Sequence, residues 1–101
     1  MAGSPIDPRA RLTIELALTA NNGSPSLLAK QEEAGRALGM TGAEMDIARR
    51  GSSFDFHTSI AVSLALNARG ETRQRARGAG FSEETCEEIE RIARSIRVPA
   101  A

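Results

Sequence analysis

Apolar side chains recur along this chain in short stripes separated by glycine, proline and hydroxyl residues. The first stripe carries two conflicting periods. Leu12, Ile14, Leu16 and Leu18 alternate with Arg11, Thr13, Glu15 and Ala17, which taken alone is a strand pattern. The same stretch is rich in Ala, Leu, Arg and Glu, which favour helix. No second strand exists to satisfy its backbone. Residues 9 to about 21 are therefore expected to form a helix that is apolar on most sides and largely buried.

The remaining stripes fall at helical spacing between clear stops. Asn21-Asn22-Gly23 reads as a turn, Ser24 as an N-cap and Pro25 as a first helical residue, opening a helix to about residue 38 that Gly39 ends. Thr41-Gly42-Ala43-Glu44 is a capping box for a short helix ending at Gly51. Asp55 or Ser53 can cap a fourth helix carrying Phe56, Ile60, Ala61, Leu64 and Ala65, and Gly70 breaks it. Residues 69–77 read as a short exposed helical turn, with breaks at Gly78 and Gly80. Ser82, followed by Glu83 and Glu84, starts the best amphipathic helix, with Cys86, Ile89, Ile92, Ala93 and Ile96 on its apolar face. Gly39-Met40-Thr41 and Gly80-Phe81-Ser82 echo each other as helix starts with a bulky residue before the cap. The expected architecture is all-α: one compact bundle of five to six short helices over residues 9–97, with a flexible arm at 1–8 and a tail at 98–101.

Composition narrows the function classes. At 101 residues the chain holds one domain and one core. Aromatics are 3%, with no Trp or Tyr, a poor basis for stacking on nucleic-acid bases. Thirteen basic side chains balance thirteen acidic ones, which argues against electrostatic capture of nucleic acid or an anionic membrane. Neither a secretory leader nor a stretch long enough to span a bilayer is evident. One cysteine gives no intrachain disulfide, and the expected location is cytoplasmic. A Gly-rich phosphate loop and a metal-ligand cluster are both lacking, so no cofactor and no metal are expected.

With these elements placed, a family pattern emerges. Asn22-Gly23 leads into Ser24-Pro25-Ser26-Leu27-Leu28-Ala29-Lys30-Gln31; Gly39-Met40-Thr41-Gly42-Ala43-Glu44 and Ala48-Arg49-Arg50-Gly51 follow; Phe54 to Asn67 and Gly80-Phe81-Ser82-Glu83-Glu84 complete it. Over roughly residues 9–93 the chain resembles the alkyl hydroperoxidase D and carboxymuconolactone decarboxylase proteins, many of which open the second helix with Asn-Gly-Cys-x-x-Cys-x-x-x-His. On that resemblance Ser24 and Leu27 stand at the two cysteine positions and Gln31 at the histidine position. The family's first-helix glutamate falls at Leu12, with Glu15 three residues away. Serine cannot cycle through a disulfide and leucine offers no chemistry, so thiol peroxidase activity is not expected. The resemblance implies a homo-oligomer that binds a small-molecule ligand or serves as an accessory subunit.

Candidate site residues each carry a plainer reading. Ser24 is a hydroxyl for a ligand pocket or simply an N-cap. Gln31 is a ligand hydrogen-bonding group or a solvated helix-face residue. His57, the sole histidine, is a general acid or base or a first-turn residue, with Asp55 on a different side of the helix. Cys86, among Glu84, Glu87, Glu88 and Glu90, reads as an inert core thiol of raised pKa. Arg69, Arg73, Arg75 and Arg77 meet a phosphate, solvent, or the acidic stretch 83–90 of a neighbouring subunit. The alternative from another class is a helix-turn-helix DNA-binding module over residues 34–50, ending in Arg49-Arg50. Its second helix presents Glu44 and Asp46, which phosphate repels.

Overall fold

In a computed structural model, which describes residues 6–20, 24–67 and 70–97, the chain folds into six helices. In order they are α1 (Pro8–Thr19), α2 (Pro25–Ala37), α3 (Gly42–Arg49), α4 (Phe56–Leu66), α5 (Gly70–Gly78) and α6 (Glu83–Arg97). No strand occurs among the described residues. The arm up to residue 5, the turn at 21–23, Arg69 and the tail at 98–101 lie outside them.

The alternation in the first stripe has a helical explanation. Successive residues of an α-helix turn by about 100°, so positions two apart face nearly opposite ways and positions four apart nearly coincide. Leu12 and Leu16 thus share one side of α1, and Ile14 and Leu18 the other. The two sides serve different clusters. Leu12 and Leu16 pack with Met40, Met45 and Ala48 of the α3 region. Ile14, with Leu18 partly buried beside it, joins Ile60, Val62 and Leu64 of α4, Ala76 of α5, and Cys86 and Ile89 of α6. Helix α1 is the shared wall, in contact with α2, α3, α4 and α6. An alternating pattern therefore marks a helix buried on two faces.

Helix ends follow local chemistry. Pro8 and Pro25 open α1 and α2 behind the caps Asp7 and Ser24, so α1 takes in one residue that the sequence placed in the arm. Thr41 and Glu44 form the full capping box of α3. Asp55, not Ser53, caps α4 through the Thr58 N–H. The two echoing segments are the same device. The Met40 N–H donates to Gly35 O and the Phe81 N–H to Ala76 O, with Gly39 at φ +84° and Gly80 at φ +103°. Each is a Schellman turn, closed by a left-handed glycine and leading straight into the next N-cap.

Residues 70–78 form a full helix rather than an exposed turn. Ala76 is wholly buried against the larger cluster, and Arg73 reaches across to α6, where it pairs with Glu83 at 3.0 Å and Glu90 at 3.5 Å. Arg73 and Arg77 of the basic stretch thus meet the acidic stretch within the same chain.

Candidate functional site

Four helix starts open onto one side of the molecule, and their caps set its chemistry. Asp7 Oδ1 accepts from the Ala10 N–H at 2.8 Å. Asp55 Oδ2 accepts from the N–H and the hydroxyl of Thr58, both at 2.8 Å. Glu44 accepts from the Thr41 N–H at 2.8 Å and pairs with Arg9 at 2.6 Å, tying α1 to α3. Ser82 accepts from the Thr85 N–H at 3.1 Å. The positive ends of the helix dipoles favour carboxylates at these starts.

Two adjoining grooves run between these starts and share Asp7, Ala10, Asp55 and Thr58 in their walls. One, about 340 Å³, continues past Arg9, Met40, Glu44 and Phe54. The other, about 300 Å³, continues past Ile6, His57, Ala61, Phe81 and Thr85. The Thr58 N–H, then its hydroxyl, hold the Asp55 carboxyl below the usual carboxylate range against a small desolvation penalty. The Thr41 N–H does the same for Glu44, with Arg9 adding to it. Both are therefore anionic acceptors at neutral pH, not proton donors.

His57 is exposed at the rim of the second groove. Its Nε2 lies 3.2 Å from the Ala79 carbonyl oxygen. A carbonyl only accepts, so Nε2 is the donor in this contact. The imidazole stacks on Phe81 at 5.9 Å and 15°, while Phe56 meets it edge-on at 5.6 Å. Asp55 lines the same groove, although its carboxylate is committed to Thr58.

The other two candidates lie elsewhere. Ser24 is exposed and caps α2, accepting from the Leu27 N–H at 3.2 Å. Gln31 is 2% exposed, which overturns its reading as a solvated residue. Its Nε2 donates to Glu15 Oε2 at 2.9 Å and to Thr19 Oγ1 at 3.0 Å, while Oε1 is buried with no partner. The cause is Gly35, one helical turn on. A Cβ there would stand 2.6 Å from Met45 Sδ, so α2 lies this close with Met45 as placed because residue 35 has no side chain, and the face it shares with Gln31 is the buried one. Glu15 and Gln31 therefore meet, but a carboxylate and a carboxamide have no proton to exchange at neutral pH. Neither Ser24 nor Gln31 lines either groove, so the three candidates do not share one cavity.

Cys86 is fully buried. Burial pushes its thiol pKa up, more than Arg73 beside it pulls it down; acidic neighbours are the smaller cause. Among the described residues, no group of three His, Cys, Asp or Glu side chains is placed to hold a metal. No described helix is long and apolar enough to cross a membrane. Within residues 34–50, α3 turns Met45 and Ala48 inward, and Arg49 is held by Asp46 at 3.2 Å and Glu32 at 3.4 Å. Its exposed side carries Ala43, Asp46 and Arg50, a poor surface for a phosphate backbone.

What sequence reading missed is the paired groove itself. The signal was present: the chain's three phenylalanines and its one histidine fall in two short segments, 54–57 and 81, each flanking a helix cap. No family model matches the chain, and neither does any curated protein or solved structure.

Proposed function

We propose that this chain is a cysteine-independent relative of the alkyl hydroperoxidase D and carboxymuconolactone decarboxylase proteins, a cytoplasmic homo-oligomer that binds a small molecule in the paired groove bounded by α1, α3, α4 and α6. The observation that carries the binding site is convergence. His57, Phe54 and Phe81 line grooves that also hold the acceptors Asp7, Glu44 and Asp55, and Phe56 meets His57 edge-on. Placed polar groups beside aromatic rings can fix the orientation of a small ligand. His57 serves as a binding group, because a backbone carbonyl holds its Nε2 and no titrating partner is bonded to it. Ser24, committed as a cap, and Leu27, an aliphatic side chain, supply no thiolate at the two positions that match the family's cysteines.

The test is a ¹⁵N–¹H correlation spectrum of the labelled protein, titrated with mixtures of small fragments. Shifts should cluster at Ala10, His57, Thr58 and Phe81. Shifts confined to the start of α2, or none at all, would overturn the assignment of the site. Thiol-dependent peroxide turnover should stay at the background rate, and robust turnover would show that the start of α2 carries chemistry after all.

A further inference from the structure

We infer that α2 is a detachable strap, a helix that lifts off as a unit while the other five stay folded, and that its release bares Leu12 and Met45. Its seam is unlike the others in the fold. Among the described residues, every other helix gives at least one buried side chain to an apolar cluster, whereas α2 gives none. The two residues it buries are Gln31, which is polar, and Gly35, which has no side chain. Leu27 and Leu28 stay partly exposed. Of the other helices, α2 touches only α1 and α3. A helix of 13 residues is marginal alone and is normally held by an apolar face, which α2 lacks.

The polar side of the seam is incompletely paired as well. Gln31 Oε1 and Arg49 Nε are buried and find no partner in the protein. Gln31 lies on α2, and Arg49 reaches α2 from α3 through Glu32 at 3.4 Å. Turning the Gln31 amide over does not help. Glu15 Oε2 accepts, and Thr19 has already given its hydroxyl proton to the Glu15 carbonyl at 2.8 Å, so both neighbours call for Nε2. A desolvated polar atom without a partner opposes burial, and lifting α2 returns both atoms to water. The remaining fold does not depend on α2. Helix α1 meets α3 through Leu16, Met45 and Ala48, and Arg9 pairs with Glu44 at 2.6 Å. Helices α4, α5 and α6 close around Ile14 on the other side of α1. What the strap covers is apolar. A Cβ at Gly35 would meet Met45 Sδ at 2.6 Å and Leu12 Cδ2 at 3.5 Å, so the α2 backbone lies over two side chains that are only 2% and 7% exposed. Baring them opposes release, which keeps the open form a minor one in the folded chain.

Native-state hydrogen exchange of the full chain at low urea, read amide by amide, tests this. After correction for intrinsic rates, the hydrogen-bonded amides of α2 should exchange as a group, about a hundredfold or more faster than those of α6. Their urea dependence should be the shallower one, because little surface opens. Ile89→Val thins the larger cluster, which the open form keeps. The substitution should speed exchange in α6 by about threefold to tenfold and leave α2 exchange unchanged. Equal acceleration of both helices, or equal protection of both in the wild type, means that α2 opens only with the whole fold and overturns the inference. Exchange of α2 at the unprotected rate overturns it too, because α2 would then not be seated at all.

Discussion

Gln31 shows how much one side chain's surroundings can depart from its residue type. It is buried, it spends both amide hydrogens on α1, and its oxygen accepts nothing. Gln31→Glu would set a second carboxylate where the amide donates to Glu15 at 2.9 Å. The variant should lose roughly 2–4 kcal/mol at neutral pH from like-charge repulsion and burial. The added group's pKa is raised in the folded chain, so the loss should shrink as pH falls toward about 4.3, where the unfolded chain also takes up the proton. Urea titrations at neutral and mildly acidic pH measure both. Cys86, wholly buried and with its pKa raised, should react with a thiol reagent about a thousandfold or more slower in the native chain than in urea, because labelling requires the core to open. Native labelling at the unfolded rate would contradict that burial.

Helix starts govern the next scale. Asp55 holds the first turn of α4 and walls both grooves. Asp55→Ala should cost about 1 kcal/mol, the usual value of an N-cap. Folded-state pKa values below the ordinary ones, at Asp55 and Glu44, mean that their stabilisation is complete above about pH 4.5 and is lost as pH falls through the folded-state values. The urea midpoint of the wild type should therefore drop on acidification, and Asp55→Ala should drop less steeply over the same window. A variant with the same acid slope as the wild type would show that the cap does not carry the pH dependence. Salt should weaken the α5–α6 clamp of Arg73, Arg77 and Glu83 only slightly, since exposed ion pairs contribute little.

At the scale of the whole molecule, α1 makes two clusters into one structure. Leu16 is fully buried on the α3 side, and Cys86 reports from the α6 side. Leu16→Ala should lose roughly 2–5 kcal/mol. If α1 couples the clusters, far-UV circular dichroism and Cys86 labelling should still follow one transition in this variant. A separate, earlier loss of part of the helical signal, with Cys86 still protected, would mean that the α3 side unfolds on its own.

What sequence alone determined here was local. Caps, left-handed glycines and prolines fixed where helices begin and end, because each acts through backbone groups within a turn or so of itself. The apolar face of α6 was equally plain, as Cys86, Ile89, Ile92 and Ala93 repeat at helical spacing against a charged remainder. Tertiary structure decided everything that depends on which faces meet. The alternation of Leu12 to Leu18 fits a strand or a doubly buried helix until neighbours appear on both sides of α1. Gln31 reads as solvated until Gly35 brings α2 down onto Met45. Arg73 found its acids on α6 of its own chain, and Phe54, His57 and Phe81 came to line adjoining grooves only when residues more than twenty positions apart closed around Ala10 and Thr58. Caps and periods are short-range and are written in adjacent letters; a groove is a long-range meeting of helix ends, and no run of adjacent residues encodes it.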